Sequence, residues 1–180
     1  MTSNQASRLI GAVFGLVFVL ANAGALPTAA AVALRVLAVA VFIGLFIALR
    51  RTRAPQPADG AAPKPFGRGY RLVVAAEVVA ALAGAFVVNR VLHAPQATVA
   101  WISLVVGLHF FGLAAVWRMP PLRLLAAAMA ACGAAGLVLA ASGASLAVIA
   151  TVAGIAPGAL LLGSVWWTVR TTPAATAVTP

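Results

Sequence analysis

Between Thr28 and Leu49 the chain reads TAAAVALRVLAVAVFIGLFIAL, with Arg35 its only charge. A bilayer core of about 30 Å takes ~20 apolar residues in one α-helix. Five more stretches share this character: 9–26, 72–88, 97–117, 124–141 and 145–169. The third span, 72–88, is short and draws on Tyr70 or Asn89 at its ends. Gly24 to Thr28, with Pro27 inside, forms a tight turn between the first two spans, because proline can start a helix but not continue one. Ala141-Ser142-Gly143-Ala144 makes another between the last two. The expected fold is all-α, a six-helix transmembrane bundle built from three helical hairpins, with 1–180 a single transmembrane domain.

Composition excludes the other classes. Hydrophobic residues make up 64% and charged ones 8%, against roughly 25% charged in soluble domains. Disorder needs the opposite balance. Cys132 is the single cysteine, so no intrachain disulfide exists. The first span has a second reading. Arg8, the run Leu9 to Leu20, and then Ala21-Asn22-Ala23-Gly24-Ala25 resemble a secretory signal over 1–25, whose removal would leave five spans.

Basic residues set the orientation. Arg8, Arg50, Arg51, Arg53, Lys64, Arg68, Arg71, Arg118, Arg123 and Arg170 fall on one side, and Arg90 alone on the other. The positive-inside rule then puts both termini in the cytoplasm. Tyr70, Trp117, Trp166 and Trp167 lie near the inner interface and Trp101 near the outer one, where amphipathic rings settle. Eleven arginines to one lysine, with abundant alanine, point to a GC-rich bacterial source and so to the bacterial cytoplasmic membrane. The 50–71 loop holds four prolines, three glycines and a charge of +5, so it reads as an unfolded basic segment on anionic lipid headgroups. Its competing reading is a docking site for a cytoplasmic partner; no aromatic-basic interleaving supports nucleic acid. The tail 171–180 reads as disordered.

Small residues line the spans: Gly11, Gly15 and Asn22 on the first, Ala76, Ala80 and Gly84 on the third, Ala150, Gly154 and Gly158 on the sixth. Lipid tails do not drive helices together, so such stripes mark close packing. Pro157 interrupts the sixth span, where it removes a backbone donor and clashes with the Ala153 carbonyl. A packing kink is one reading and a transporter-like hinge the other.

Three ionisable side chains fall within spans: Arg35, Glu77 and His109. Intramembrane charges are functional candidates by default. Arg35, seven residues after Thr28, can snorkel to the outer surface; an ion pair or substrate anion is its other use. Glu77 shares its face with Ala80, Ala81 and Gly84, toward other helices. Its depth, ~8 Å from Leu72, is close to the ~12 Å of His109 from Trp117, so the two can meet and titrate as a unit.

The stretch Gly107-Leu108-His109-Phe110, in Val106 to Ala114, resembles a Gly-Leu-His-Phe motif, followed by Pro-Leu-Ala, of small uncharacterised bacterial polytopic membrane proteins. The likeness covers about nine residues and departs at Gly112, where the motif has proline. It implies no activity, cofactor or role for His109.

The chain contains no Walker loop, dinucleotide fingerprint or metal-spaced His/Cys cluster. Ser103 lies off the His109 face, and two carboxylates in all argue against hydrolytic or phosphotransfer chemistry. The expectation is therefore no enzyme, catalytic residue, cofactor or metal. A structural or accessory membrane component, acting with a membrane-protein partner or as a homo-oligomer, is the first reading. A small transporter or channel with a proton-sensitive Glu77/His109 element is the alternative.

Overall fold

A computed structural model describes residues 3–51 and 67–171. Five spans are α1 (Ser3–Asn22), α2 (Thr28–Arg51), α3 (Arg68–Phe86), α4 (Thr98–Val116) and α5 (Pro120–Ala141). The sixth joins α6 (Leu146–Ala150) to α7 (Ala156–Thr171) through a π turn at Thr151–Ile155. All six, at 21 to 26 residues, are long and apolar enough to cross a membrane. The protein is a multi-pass, six-helix membrane bundle. Residues 52–66, which carry the prolines of the basic loop together with Arg53, Asp59 and Lys64, lie outside the described residues, as do tail residues 172–180.

Three of the helices begin before their apolar stretches. The first begins at Ser3 rather than Leu9, the third at Arg68 rather than Leu72, and the fifth at Pro120 rather than Leu124. Hydropathy marks only the part that must sit in hydrocarbon, whereas backbone hydrogen bonding continues through the polar interface. Pro120 is suited to a first-turn position, since its missing N–H would be unsatisfied there anyway. α3 also gains length at its far end, through a π turn at Val87–Val91 in which the Leu92 N–H reaches the Val87 carbonyl at 2.9 Å.

Left-handed residues close two of the connections. After α4, Arg118 adopts φ 52° and the Met119 N–H donates to the Ala114 carbonyl at 3.1 Å. After α5, Gly143 adopts φ 77° and the Ala144 N–H donates to Leu139 at 2.9 Å. Both are six-to-one Schellman closures, which satisfy carbonyls at a helix end.

Two glycine crossings hold the bundle. On α1 and α7, Gly15 and Gly158 meet backbone to backbone: a Cβ on either would come within 2.9 Å of the other's carbonyl oxygen. Asn22, one stripe position further along α1, presses its side chain onto Gly154. On α4 and α5, Gly107 meets the Ala130 backbone and Gly133 meets that of Leu104. Leu45, Met129, Ile149 and Leu161 fill the interior, and Ser103 is the buried polar residue among those described. α2 packs on α1 and α7, while α3 packs on α4.

Pro157 is fully buried at the start of α7, directly after the π turn. There the Ala156 N–H donates to the Thr151 carbonyl, five residues back. Widening the helix just before a proline relieves its clash with the preceding turn and accounts for the lost donor. Pro157→Ala should restore one backbone hydrogen bond, about 1 kcal/mol. It also removes two buried methylenes at about 0.8 kcal/mol each. The two effects nearly cancel, so thermal melting in detergent should move by no more than a few degrees. A large loss would mean that the π turn itself holds the sixth span in place.

Candidate functional site

The α3–α4 interface contains the only close approach between intramembrane ionisable groups among the described residues. On α3, positions 69, 73, 77, 80 and 84 recur at three- and four-residue spacing, so they share one face. That face meets α4 in antiparallel steps. Gly69 sits against Val116, Tyr70 stacks on Trp117 with ring centroids 6.0 Å apart, and Val73 packs on Gly112. One turn further, His109 Nδ1 lies 3.1 Å from Glu77 Oε2. Beyond that, the Trp101 indole occupies the space above Gly84 and its Nε1–H donates to the Ala80 carbonyl at 3.1 Å. At the end of the interface, Asn89 Nδ2 donates to Thr98 Oγ1 at 2.8 Å.

The Glu77 and His109 side chains are 20% and 10% exposed. Their separation is that of a hydrogen bond, but the ring is turned so that Nδ1 makes no well-aligned one. The Val73 backbone provides the ring with a further hydrogen-bond contact, and Phe110 meets it edge-on at 5.6 Å.

The other candidates lie elsewhere. The Arg35 guanidinium reaches back along α2 to Gly24, in the turn between α1 and α2: a Cβ on Gly24 would be 3.1 Å from it. That is the outward direction in which helical side chains tilt near the start of a span. Pro157 belongs to α7, and neither α2 nor α7 is closely packed on α3. Ser103 Oγ faces the Met129 carbonyl on α5 at 3.5 Å rather than His109. Among the described residues, no three metal-ligating side chains come together.

Sequence reasoning missed Trp101 as an interhelical residue. Its position near a span end identified a membrane-interface aromatic, but not the direction of its ring. The available signal was Gly84, whose missing side chain leaves room for an indole. Gly112, where the resembling motif has proline, is filled in the same way by Val73: a Cβ there would be 2.9 Å from Val73 Cγ1. Comparison with known protein families, with curated proteins and with solved structures finds no match for this chain.

Proposed function

We propose that the protein is a structural or accessory component of a membrane assembly, in a bacterial cytoplasmic membrane with both termini inside. The observation that carries this reading is α3. It is a full spanning helix with no buried residue, packed on its own chain along one face. Val79, Leu82 and Phe86 on its free side are 64 to 68% exposed. Glu77 and His109 then act as a clasp that fixes α3 on α4, leaving the outer face for a membrane-protein partner or a second copy. The basic 50–71 loop leads into this helix and adds attraction to anionic headgroups.

The test is extraction of the tagged chain from native membranes in a mild detergent, with a photo-crosslinker at Leu82. The expected result is migration well above the 18.1 kDa chain in its micelle, with adducts formed through Leu82. Migration as a lone monomer without adducts would overturn the reading.

A second reading rests on the acid–imidazole contact itself. A proton-sensitive Glu77–His109 pair, with the π turn before Pro157 as a hinge, would suit a small transporter. Proton-linked flux in liposomes, lost on substitution of the pair, is the result that would favour it.

A further inference from the structure

Five of the six spans share the interior, and α3 has no part in it. None of its residues from Arg68 to Phe86 is buried. One packed apolar cluster is built around Leu45 and Leu162, the other around Met129 and Leu161, and both draw on α1, α2, α4, α5 and α7 alone. Among the described residues, α4 is the one span closely packed on α3.

The two seams of α4 differ in kind. Toward α5 the backbones touch, Gly107 on Ala130 and Gly133 on Leu104. Toward α3 the glycine gaps are filled by side chains, Gly112 by Val73 and Gly84 by the Trp101 indole, so side chains stand between the two backbones. Helices in hydrocarbon are held together by close packing and interhelical hydrogen bonds, without a hydrophobic force between them. A seam spaced by side chains has less of the first, and leans on its polar contacts. These are Glu77 with His109, the Trp101 Nε1–H on the Ala80 carbonyl, and Asn89 on Thr98.

The seam is also fastened unevenly along its length. At the Val91 end, the Leu92 and Ala94 N–H groups donate to the Val87 and Val88 carbonyls at 2.9 and 3.0 Å. There Asn89 Nδ2 donates to both the Ala85 carbonyl and Thr98 Oγ1, at 2.8 Å each. His93, at φ 50°, turns the chain into the short connection to α4. This corner keeps α3 and α4 joined, and its π turn is a natural place for a helix to bend. The Arg68 end meets α4 through the Gly69–Val116 packing and the Tyr70–Trp117 stack. Leaving α4 would not unfold α3. Its backbone hydrogen bonds are internal, as hydrocarbon requires, and Arg68–Val91 is long and apolar enough to span by itself.

We propose that α3 is a hinged arm: it separates from α4 as a unit, pivoting at 87–94, while the other five spans stay packed. The Glu77–His109 and Trp101–Ala80 contacts are its closure. The arm's use rests on the assembly reading, since an opened α3 offers a partner its α4-facing side, Glu77 included, together with its free one. Its motion is a property of the chain alone.

The test uses spin-label pairs on the full chain in a Cys132→Ala background, in mild detergent titrated with sodium dodecyl sulfate, with distances read by electron paramagnetic resonance. Leu72→Cys with Leu124→Cys reports the Arg68 end of the seam, and Val13→Cys with Trp167→Cys the α1–α7 crossing; all four positions are exposed. The seam pair should lengthen at a lower fraction of dodecyl sulfate than the crossing pair, in two separate transitions. Gly84→Leu puts a side chain where the indole sits, so it should open the seam before any dodecyl sulfate is added and leave the crossing distance unchanged. Trp101→Ala removes the knob and its hydrogen bond without adding bulk, so it should lower the seam midpoint alone, and it decides the matter should Gly84→Leu fail to fold. One common transition for both pairs, or Trp101→Ala shifting both midpoints equally, would overturn the proposal. Two transitions without crosslinks at Leu82 would instead overturn the assembly reading and leave the arm standing.

Discussion

Gly107→Ala should lower the melting temperature of the detergent-solubilised protein by on the order of 10 °C, whereas Gly163→Ala should leave it unchanged or slightly raised. Both glycines lie inside helices, so both substitutions carry the same gain in helix propensity and the same restriction of the unfolded chain, about 0.4–1 kcal/mol. They differ only in what the new methyl meets. At Gly107 it would lie 2.7 Å from the Ala130 Cα and closer still to the Ala130 nitrogen; at Gly163 it meets nothing within 4 Å. A flexible side chain can turn away from such a contact, but a helix backbone cannot. Relief requires α4 and α5 to separate along their whole crossing, and overpacking of that kind costs typically 1–3 kcal/mol, occasionally more. Gly133→Ala should behave like Gly107→Ala, because its methyl would meet the Leu104 backbone. Equal melting temperatures for the Gly107 and Gly163 variants would show that α4 and α5 do not cross at this contact.

The spans were legible in the sequence because the bilayer imposes a length and an apolarity that few other environments require. The stripes of the first and sixth spans were legible too, as places where backbones approach, whereas on the third span Gly84 makes room for the Trp101 indole. Their pairing was not. Gly15 could have met any helix with a gap, and that it meets Gly158 follows from connectivity and crossing geometry that one-dimensional spacing does not contain. Glu77 could be placed on the inner face of α3, because its i+3, i+4 and i+7 neighbours are small. What remained hidden was direction around α4. A helix apolar on every side gives no moment to show which face is inward, so Trp101 and His109 gave depth but not orientation. The response to Pro157 was half legible: the sequence locates the lost hydrogen bond, and the structure answers with a π turn one step earlier.

Glu77→Leu and His109→Leu should each destabilise the protein by about 1–3 kcal/mol, and the double variant by less than either. Each single change strands one polar group in a low-dielectric interface, and an unsatisfied group costs more than the pair it came from. Removing both leaves two apolar side chains beside the Val73 side chain, which packs on Gly112, and the Phe110 ring, so most of the loss is recovered. Hydrogen bonds between membrane helices average only ~0.6 kcal/mol in double-mutant cycles, with a maximum near ~1.7 kcal/mol, so a double variant milder than either single requires a coupling above that average and single losses near the low end of their range. Reversible unfolding of all four proteins in one detergent gives the coupling directly; strictly additive losses would show that the two side chains do not interact. The double variant also separates the two functional readings, because it keeps α3 docked without a titratable pair. If Glu77 and His109 are a clasp, the native assembly should survive in that variant while both singles loosen it. If they move protons, the double variant should remain folded and assembled yet lose flux entirely. A structural contact is replaceable by another contact of the same shape, whereas a proton site is not.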